Sequence, residues 1–275
     1  MHKLIFLASL VLSFNVSALT IMEINTEFLW DHKAPHDGRL IKESKVPTQA
    51  KYEAELDYYK SLIQKHNADV VGLIEIEGCH IAKDLATKLN ANWNVACKKG
   101  RDTFTGQDVA LITKFKVLRK TIDNHKNSFA LIKSGDKKGK RVRPSKALSV
   151  VLSNGRDSYL VTVAHLISKR GNNDLKRLAQ AEAIKKTHLK LRERYKTKNQ
   201  IILGDFNDLP ESPVLSELTS AGVALVDTMA CTYVYKGKCN LIDYILVSNN
   251  IAGGSLFAVK VSHKFSDHSV LVYKK

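Results

Sequence analysis

Short runs of apolar residues that end in a polar side chain recur through this 275-residue chain, separated by amphipathic segments. A run without polar alternation predicts a strand that is covered on both faces, as in a sheet that lies between two other layers. Between residues 49 and 66, apolar residues at three- to four-residue spacing among Lys, Glu and Asp predict an amphipathic helix. The order begins strand, helix, strand, helix and then becomes rich in strands. It predicts an α/β fold with two sheets inside and helices outside.

The predicted elements extend from residue 19 to the C-terminal end of the chain. Strands are predicted at 19–23, 69–74, 93–96, 109–113, 149–152, 159–163, 200–203, 241–247 and 270–273. Helices are predicted at 49–66, 81–89 and 172–199, the last because it contains no Gly or Pro. Asn154-Gly155 predicts a hairpin between two of the strands. In the segment 114–144, Lys and Arg crowd around two glycines, which predicts a mobile basic loop.

The first eighteen residues are typical of a secretory signal peptide. Lys3 precedes an apolar run from residue 4 to residue 14, and Val16-Ser17-Ala18 resembles a small-residue cleavage site. The alternative interpretation is a buried N-terminal strand. We expect residues 1–18 to be removed and residues 19–275 to form one domain of a secreted or periplasmic protein. No membrane span is expected, because no stretch reaches about 20 consecutive apolar residues.

The chain carries 43 Lys and Arg residues against 27 Asp and Glu residues, which gives a net charge of +16. A surplus of this size creates a positive field that attracts polyanions, whether nucleic acid, anionic lipid or acidic glycans. Charge alone does not choose among these partners.

Four cysteines, an even number in a chain expected to be exported, predict two disulfides. Of the three possible pairings, the one that closes short loops joins Cys79 to Cys97 and Cys231 to Cys239. A zinc site is the alternative, and the lack of a C-x-x-C pair disfavours it.

The polar residues at the strand ends are the candidate functional residues, because a strand end is rigid and yet opens to solvent. After the apolar run 201–203 come Gly204, Asp205 and Asn207, and the period of two puts Asp205 and Asn207 on one side of the chain. A carboxylate and an amide placed in this way can hold a nucleophilic water and a phosphate oxygen. An ordinary turn is the competing interpretation.

Two further strands end in a residue that can bind a metal or a phosphate. Glu75 follows the run 70–74, and Glu77 lies two residues further on and can face the same way. Carboxylates at this point suit Mg²⁺, Mn²⁺ or Ca²⁺, although a surface acid is the competing interpretation. His165 ends the run that begins at Tyr159, where a structural histidine is the more common case.

Asp243 lies inside the apolar run 241–247 and needs a partner, because burying an unpaired carboxylate is costly. Asp267 and His268 precede the last strand. In chain order, the strand-end residues resemble the motif set of the endonuclease/exonuclease/phosphatase superfamily, which includes DNase I, abasic-site endonucleases, bacterial sphingomyelinases and inositol polyphosphate 5-phosphatases. The resemblance extends from residue 22 to residue 273 and rests on Asn25, Gly-Leu-Ile-Glu75, Thr-Val-Ala-His165-Leu, Gly-Asp205-Phe-Asn207, Ile-Asp243-Tyr and Ser-Asp267-His268.

The resemblance implies a four-layered α/β/β/α sandwich with the site at one end of the two sheets. It also implies a divalent cation, Mg²⁺ or else Mn²⁺ or Ca²⁺. Glu75 would be the principal metal ligand, and Asn25 and Asp267 would lie close to the metal.

The catalytic roles follow from the same resemblance. Asp205 and Asn207 would position the nucleophile and the phosphate. His268 would be the general base that activates water, oriented by Asp243, while His165 would bind the scissile phosphate or assist the leaving oxygen. In some relatives the aspartate activates the water and the histidine binds the phosphate, so these two roles can be exchanged.

One position departs from the family pattern. In DNase I a glutamate partners the histidine that corresponds to His165, and the closest register here places Gln107 at that position, with Asp108 next to it. Either Asp108 takes over the orienting role, or a neutral amide holds His165 and leaves it less basic.

Nucleic acid is the expected substrate, DNA in preference to RNA, and the expected state is a monomer. The net charge supports this expectation, and so do the basic segment and the stretch that follows His165. Phosphate contacts are expected from Arg143, Lys169, Arg170 and Asn173.

Trp30 and Arg39 are predicted to lie in a loop that can reach a base or a phosphate.

The sequence leaves two other functions open. A phospholipid phosphodiesterase of the sphingomyelinase type should expose an aromatic and apolar hairpin, which the sequence does not reveal. A basic nucleic-acid-binding protein without catalysis would explain the charge but not the ordered series of acids, amides and histidines.

Overall fold

The structure is a computed structural model, and it describes residues 18–33, 35–36, 38–39, 46–226 and 231–275. The predicted signal peptide therefore lies outside the described residues, except for Ala18. In the described part of the chain, no helix has the length and the apolar character that a membrane span requires.

Within the part of the chain that the structure describes, two six-stranded sheets form the centre of the fold. In spatial order, the first sheet consists of β15 (Ser255–Val259), β16 (Val270–Lys274), β1 (Thr20–Leu29), β2 (Val70–Ile76), β4 (Asp108–Thr113) and β3 (Asn94–Cys97). The second consists of β11 (Ala224–Leu225), β14 (Asp243–Val247), β10 (Asn199–Asp205), β9 (Ser158–His165), β8 (Lys146–Ser153) and β5 (Lys116–Val117). Two small hairpins are formed by β6 (Ala130–Leu131) with β7 (Arg141–Val142), and by β12 (Tyr233–Tyr235) with β13 (Lys238–Asn240).

In the described residues, four α-helices cover the outer faces of the sheets. They are α1 (Gln49–His66), α2 (Cys79–Leu89), α3 (Asp174–Tyr195) and α4 (Pro213–Thr219). Thr48 begins α1 as its N-cap, since its side chain accepts a hydrogen bond from the Lys51 amide, and Asn67 ends it in the left-handed conformation. The apolar residues of α1 and α2 pack on the first sheet, and those of α3 and α4 pack on the second.

Alternate residues of the central strands point into different layers. On β10, Ile201 and Leu203 face the core between the two sheets, whereas Ile202 packs under α3 and α4. All three are fully buried. A strand buried on both faces has an uninterrupted apolar sequence, which explains the runs in this chain. The predicted four-layered α/β/β/α sandwich is confirmed.

Several predicted boundaries were wrong, because strand pairing in the folded protein overrides local propensity at the ends of these elements. The first strand extends to Leu29, so Asn25 lies within it and not after it. The long helix ends at Tyr195, and Asn199 already belongs to β10. The predicted hairpin forms from β8 and β9, with Ser153 opposite Ser158 at its end.

The predicted mobile basic loop, 114–144, is instead organised around a small core. It contains β5, a 3₁₀ turn at Arg119–Thr121, β6 and β7. The side chains of Ala130 and Val142 are buried in one cluster with Ala179 of α3. A few apolar residues among the lysines are therefore enough to attach this segment to the helix.

Both predicted disulfides are present. Cys79–Cys97 joins the start of α2 to the end of β3 across 18 residues, and Cys231–Cys239 closes the β12–β13 hairpin across 8 residues. In the described residues no cysteine is left for the alternative zinc site.

Candidate active site

The strand register brings three polar side chains together at one end of the second sheet. β9 and β10 are parallel and pair His165 with Asp205, while β10 and β14 are antiparallel and pair Asp205 with Asp243. Gly204 permits this close approach, because a Cβ atom there would lie 1.9 Å from the carbonyl oxygen of Ala164. One imidazole and two carboxylates therefore lie buried on neighbouring strands.

Glu75 brings a third carboxylate to this group from the first sheet. It has a φ of +63° at an irregularity in the pairing of β2 with β4. The Nε2 atom of His165 lies 3.6 Å from Oε1 of Glu75 and 3.7 Å from Oδ2 of Asp205. These three side chains each offer a ligand atom within 4.8 Å of the others, and the two carboxylates among them are the oxygen donors that a hard divalent cation prefers.

Asn25 links the two sheets and the C-terminal motif. Its Nδ2 atom donates to Oδ2 of Asp205 at 3.2 Å, which joins β1 to β10. Its backbone carbonyl accepts a hydrogen bond from the Ser266 hydroxyl at 2.9 Å, and that hydroxyl accepts from the His268 amide at 3.0 Å. The Ser-Asp-His motif is thus fixed against the first strand, although residues 25 and 266 are far apart in the chain.

His268 and Asp243 form a buried pair. The Nδ1 atom of His268 lies 2.8 Å from Oδ2 of Asp243, the contact that the sequence predicts. Burial alone lowers the pKa of His268, but the charge and hydrogen bond of Asp243, together with Asp205 and Asp267, outweigh burial and hold the pKa well above its ordinary value. The imidazolium form is therefore favoured at neutral pH.

His165 has the opposite tendency. Burial lowers its pKa well below the ordinary value, and the positive charges of Lys146 and His268 lower it further. Its Nδ1 atom is buried and has no hydrogen-bond partner among the described residues. We therefore assign a neutral ring with the proton on Nε2, the nitrogen that faces Glu75 and Asp205.

The two residues expected to orient His165 make hydrogen bonds to other groups. Gln107 donates from Nε2 to Oε2 of Glu75 and accepts from Lys146 Nζ at 3.0 Å. Asp108 accepts a hydrogen bond from the Gly100 amide at 2.6 Å. The amide in the family's glutamate position thus positions the Glu75 carboxylate.

Lys146 was missed by the sequence reasoning. It is a buried lysine at the start of β8, and its Nζ atom lies 3.0 Å from Oε1 of Gln107 and 3.3 Å from Oδ2 of Asp102. Its charge opposes the rise that burial causes in the pKa of Glu75. A lysine at the head of an otherwise apolar run is the signal that identifies it in the sequence.

Glu23 was also missed, although it is an acid inside an apolar strand, as Asp243 is. It is fully buried, and neither carboxylate oxygen has a hydrogen-bond partner among the described residues. Burial raises the pKa of Glu23 well above its ordinary value, and the charges of Asp243 and Asp205 raise it further. Burial and Asp243 likewise raise the pKa of Asp205.

This concentration of buried carboxylates fits a divalent cation. Glu75, Asp205 and Asp243 supply oxygen atoms, and one oxygen of Asp243 has no hydrogen-bond partner among the described residues. Mutual repulsion and desolvation are relieved when a cation binds between such groups. Oxygen ligands of this kind suit Mg²⁺, Mn²⁺ or Ca²⁺.

Asp267 lies at the edge of the site. Its side chain is 39% exposed, and its Oδ1 atom is 3.7 Å from Nε2 of His268. Its backbone amide donates to Oε2 of Glu27 at 2.8 Å. Burial and the charge of Asp267 raise the pKa of Glu27. Two carboxylates that repel one another therefore lie at this rim.

The sequence between residues 12 and 268 matches the Endonuclease/Exonuclease/phosphatase family. The chain belongs to this family. No curated protein matches it by sequence.

Solved structures share the fold of this family member at low sequence identity. An endonuclease/exonuclease/phosphatase protein from Bacteroides vulgatus has a TM-score of 0.59 and 15% identity, with 94% of this chain and 98% of that chain covered. Beta toxin from Staphylococcus aureus has a TM-score of 0.60 and 15% identity, with 93% and 99% covered. The human Nocturnin catalytic domain has a TM-score of 0.57 and 15% identity, with 94% and 92% covered.

In this endonuclease/exonuclease/phosphatase protein, Asn207 is held in an unusual conformation beside Asp205. Its φ is +52°, and its amide donates to Oδ1 of Asp205 at 2.8 Å. Its Nδ2 atom donates to the carbonyl of Leu166 at 3.0 Å. The side chain is thereby held between the ends of β9 and β10.

The residues expected to contact phosphates lie mostly in the loop after β9. Lys169 pairs with Asp208 at 2.9 Å, so its charge is partly compensated within the protein. Asn173 donates to the carbonyls of Ser168 and Arg170, and thus closes the loop. Arg143 and Arg170 are both exposed.

Trp30 does not reach outward as predicted. It is buried, stacked against Phe28 at 5.9 Å between ring centroids and packed edge-on to His36. Arg39 is exposed, and its backbone amide donates to the Phe104 carbonyl at 2.9 Å. Of the two, only Arg39 is available to a substrate.

An exposed hairpin lies beside the site, although the sequence did not reveal one. The rings of Tyr233 and Tyr235 are stacked on β12, with centroids 6.4 Å apart, and Tyr233 packs against His268 at 4.9 Å. Val234 and Tyr235 are each 52% exposed. The Cys231–Cys239 disulfide holds the hairpin in this position.

Proposed function

We propose that this protein is a secreted, metal-dependent nuclease that hydrolyses the phosphodiester bonds of DNA in preference to RNA. The observation that carries the proposal is a pair of histidines with opposite tendencies at one buried acidic site. Asp243 raises the pKa of His268, whereas burial lowers the pKa of His165. Environments that drive the pKa values of two titratable groups apart are typical of acid–base sites.

Glu75 is the proposed principal ligand of the metal, with Asn25 and Asp267 close to it. Mg²⁺ is the proposed ion, since the donors are carboxylate and amide oxygens, and Mn²⁺ or Ca²⁺ suits the same donors. When bound, the ion supplies positive charge to the phosphate as negative charge develops there. Lys146 and Gln107 hold the Glu75 carboxylate in place for this task.

In the proposed reaction, a water oxygen attacks phosphorus, the bond from phosphorus to the leaving oxygen breaks, and the leaving oxygen takes up a proton from solvent, to which Asp205 later returns the one it accepted. Asp205 accepts the proton of the water, because burial and Asp243 make it a stronger base than an ordinary carboxylate. His268 carries a proton and presents its Nε2–H to a phosphate oxygen, held in that orientation by Asp243. The directions of the two pKa shifts thus favour the exchanged roles over His268 as the base.

The neutral His165 donates from Nε2 to another phosphate oxygen, and the side-chain amide of Asn207 donates beside it. Donors placed where charge develops contribute most to phosphoryl transfer when they are fixed in advance. Both side chains are fixed in this way, His165 by burial on β9 and Asn207 by the Leu166 carbonyl.

Nucleic acid is favoured as the substrate by the net charge of +16, by Tyr233 beside His268 and by Tyr235 stacked on Tyr233. Lysines and arginines bind the phosphate backbone, and aromatic rings stack on bases. Secretion is supported by the N-terminal sequence and by the two disulfides, which persist in oxidising compartments.

The test is to incubate the purified mature protein with plasmid, linear duplex, single-stranded DNA and RNA, with and without EDTA. We expect cleavage that EDTA abolishes, DNA being cut faster than RNA. Glu75→Gln should lose nearly all activity and stay folded, while Glu193→Gln, at an exposed position of α3, should keep it. Full activity in excess EDTA would contradict the proposed metal dependence.

A phospholipid phosphodiesterase is the second candidate, and the exposed β12–β13 hairpin favours it. Val234 and Tyr235 can insert into a lipid surface, as amphipathic side chains do at membrane interfaces. Sphingomyelin vesicles added to the same assay decide between the candidates. Hydrolysis of sphingomyelin without cleavage of nucleic acid, weakened by Tyr235→Ala, would replace the nuclease assignment.

A further inference from the structure

A second group of potential metal ligands lies where the loop after β1 meets the first turn of α2. The loop–helix cluster consists of two carboxylates and two imidazoles, namely Asp31, His36, Glu77 and His80. It shares no residue with the proposed active site. The sequence suggested that Glu77 can face the same way as Glu75, and the structure instead directs it to this loop.

The ligand atoms of the cluster converge. The Nδ1 atom of His36 lies 2.7 Å from Oε1 of Glu77 and 3.9 Å from Oδ1 of Asp31. The Nε2 atom of His80 lies 3.4 Å from Oδ2 of Asp31 and 4.0 Å from Oε2 of Glu77. Four ligands at about 2.0–2.1 Å from a tetrahedral zinc ion lie roughly 3.3 Å from one another, so small side-chain movements would complete such a site.

Backbone hydrogen bonds hold the two carboxylates in place before any ion binds. The amide of Asp31 donates to Oε2 of Glu77 at 3.1 Å, and the amide of Lys33 donates to Oδ1 of Asp31 at 2.8 Å. The amide of Glu77 donates to the Leu29 carbonyl, and the disulfide at Cys79 fixes the start of α2. A site whose ligands are positioned by other contacts needs little rearrangement on binding.

The donor chemistry separates this cluster from the active site. Two buried carboxylates lie close together here, and a divalent cation would balance their two negative charges. Imidazole nitrogen favours borderline transition metals, whereas Mg²⁺ and Ca²⁺ prefer oxygen donors alone. The cluster has the mixed nitrogen and oxygen donors of a zinc site.

We propose that the loop–helix cluster binds one divalent cation of the zinc class. The ion fastens the loop after β1 to α2, and thereby stabilises the packing of Trp30 against His36. The role is structural, because each imidazole lies within 4.0 Å of both carboxylates, Asp31 and Glu77 are buried, and four protein ligands would leave no position open for a substrate. The proposal stands independently of the nuclease assignment.

Zn²⁺ binding should be measured in the Glu75→Gln background, so that the proposed catalytic metal does not contribute. Chelator-stripped protein is dialysed against Zn²⁺, and bound metal is determined by mass spectrometry. We expect one Zn²⁺ per chain and a melting temperature that rises with Zn²⁺ concentration, because the ion binds the folded state. Co²⁺ in its place should give the visible absorption of a tetrahedral site.

His80→Ala is the decisive variant, because this side chain is 47% exposed and its loss should leave the fold intact. It should weaken Zn²⁺ binding by at least the roughly 10–100-fold that loss of a supporting contact costs a metal site. His263→Ala, at an exposed position outside the cluster, is the matched control and should bind Zn²⁺ as the parent does.

His36→Ala is the second variant, and the far-UV spectrum shows whether each protein is folded. Loss of Zn²⁺ in both variants and retention in the control supports the site. Equal Zn²⁺ affinity in the parent and in His80→Ala, or no bound Zn²⁺ in the parent at micromolar concentration, would overturn it.

Discussion

Changing Asp243 to Asn removes one charge from the buried pair with His268 and preserves the shape of the side chain. The Nδ1 to Oδ2 distance is 2.8 Å, and the carboxylate is fully buried. Bulk water therefore neither screens this contact nor replaces it when it is lost. The variant tests whether the charge of Asp243, in addition to its size, is needed for turnover.

The expected loss follows from the strength of this contact. A hydrogen bond between charged groups contributes about 1.5–3 kcal/mol, and each 1.4 kcal/mol corresponds to about a factor of ten. Asp243→Asn should therefore lower kcat/KM by roughly 10- to 140-fold at neutral pH. His268→Ala should lose about 100-fold or more, the scale of general acid–base catalysis.

The pH dependence distinguishes the two possible roles of His268. Asp243 is what holds the pKa of His268 above its ordinary value, and burial alone would lower it. If the imidazolium is the active form, wild-type kcat/KM falls as the pH rises through this pKa, and in Asp243→Asn the fall moves to lower pH. If the neutral ring is the base, activity rises over the same range instead.

The assay is cleavage of one plasmid substrate at saturating Mg²⁺ between pH 5 and pH 10, with thermal unfolding measured in parallel. Asp136→Asn, at an exposed position, is the control for loss of one negative charge and should behave as wild type. An Asp243→Asn protein with wild-type kcat/KM and an unshifted pH profile would refute the proposed pair.

Three further outcomes are expected. His165→Ala should lower the turnover rate about 100-fold or more. Adding His268→Ala should lower it only modestly further, because the losses from two groups that act in one transition state do not add. Additive losses in plasmid cleavage would contradict this. Replacing both cysteines of the disulfide between α2 and β3 with Ala should cost about 3 kcal/mol and lower Tm by roughly 6–12 °C, and an unchanged melting curve would contradict it. If ~5 phosphates bind, a fourfold rise in salt should weaken DNA binding roughly 500-fold, and Lys169→Ala with Arg170→Ala should flatten that slope in a fluorescence titration; an unchanged slope would exclude both residues from the interface.

Local patterns along the chain determined the layers of this protein. Apolar runs such as the one around Ile202 form strands that are buried on both faces. Burial on both faces requires helices on the outer sides of the two sheets. The buried acid Asp243 signalled its need for a partner, and close spacing indicated which cysteines pair. These features depend on periodicity and on the cost of burial. Both can be judged from residues that lie close together in the sequence.

Tertiary structure alone decided which distant residues meet. Asn25 bonds to Asp205 across 180 residues, and Gln107 turns to Glu75 and not to His165. Contacts of this kind depend on strand register and on the packing of one sheet against the other, which no local pattern encodes.

The same reason explains the remaining surprises around the site. Trp30 is buried against Phe28 and His36, and the loop–helix cluster forms where Asp31 and His36 meet Glu77 and His80. Lys146 becomes a partner of Gln107 only when β8 of the second sheet packs against β4 of the first, and Tyr233 reaches His268 only through the closed hairpin. The sequence therefore determined the residue types at the strand ends, and the assembly of the two sheets decided which of them act together.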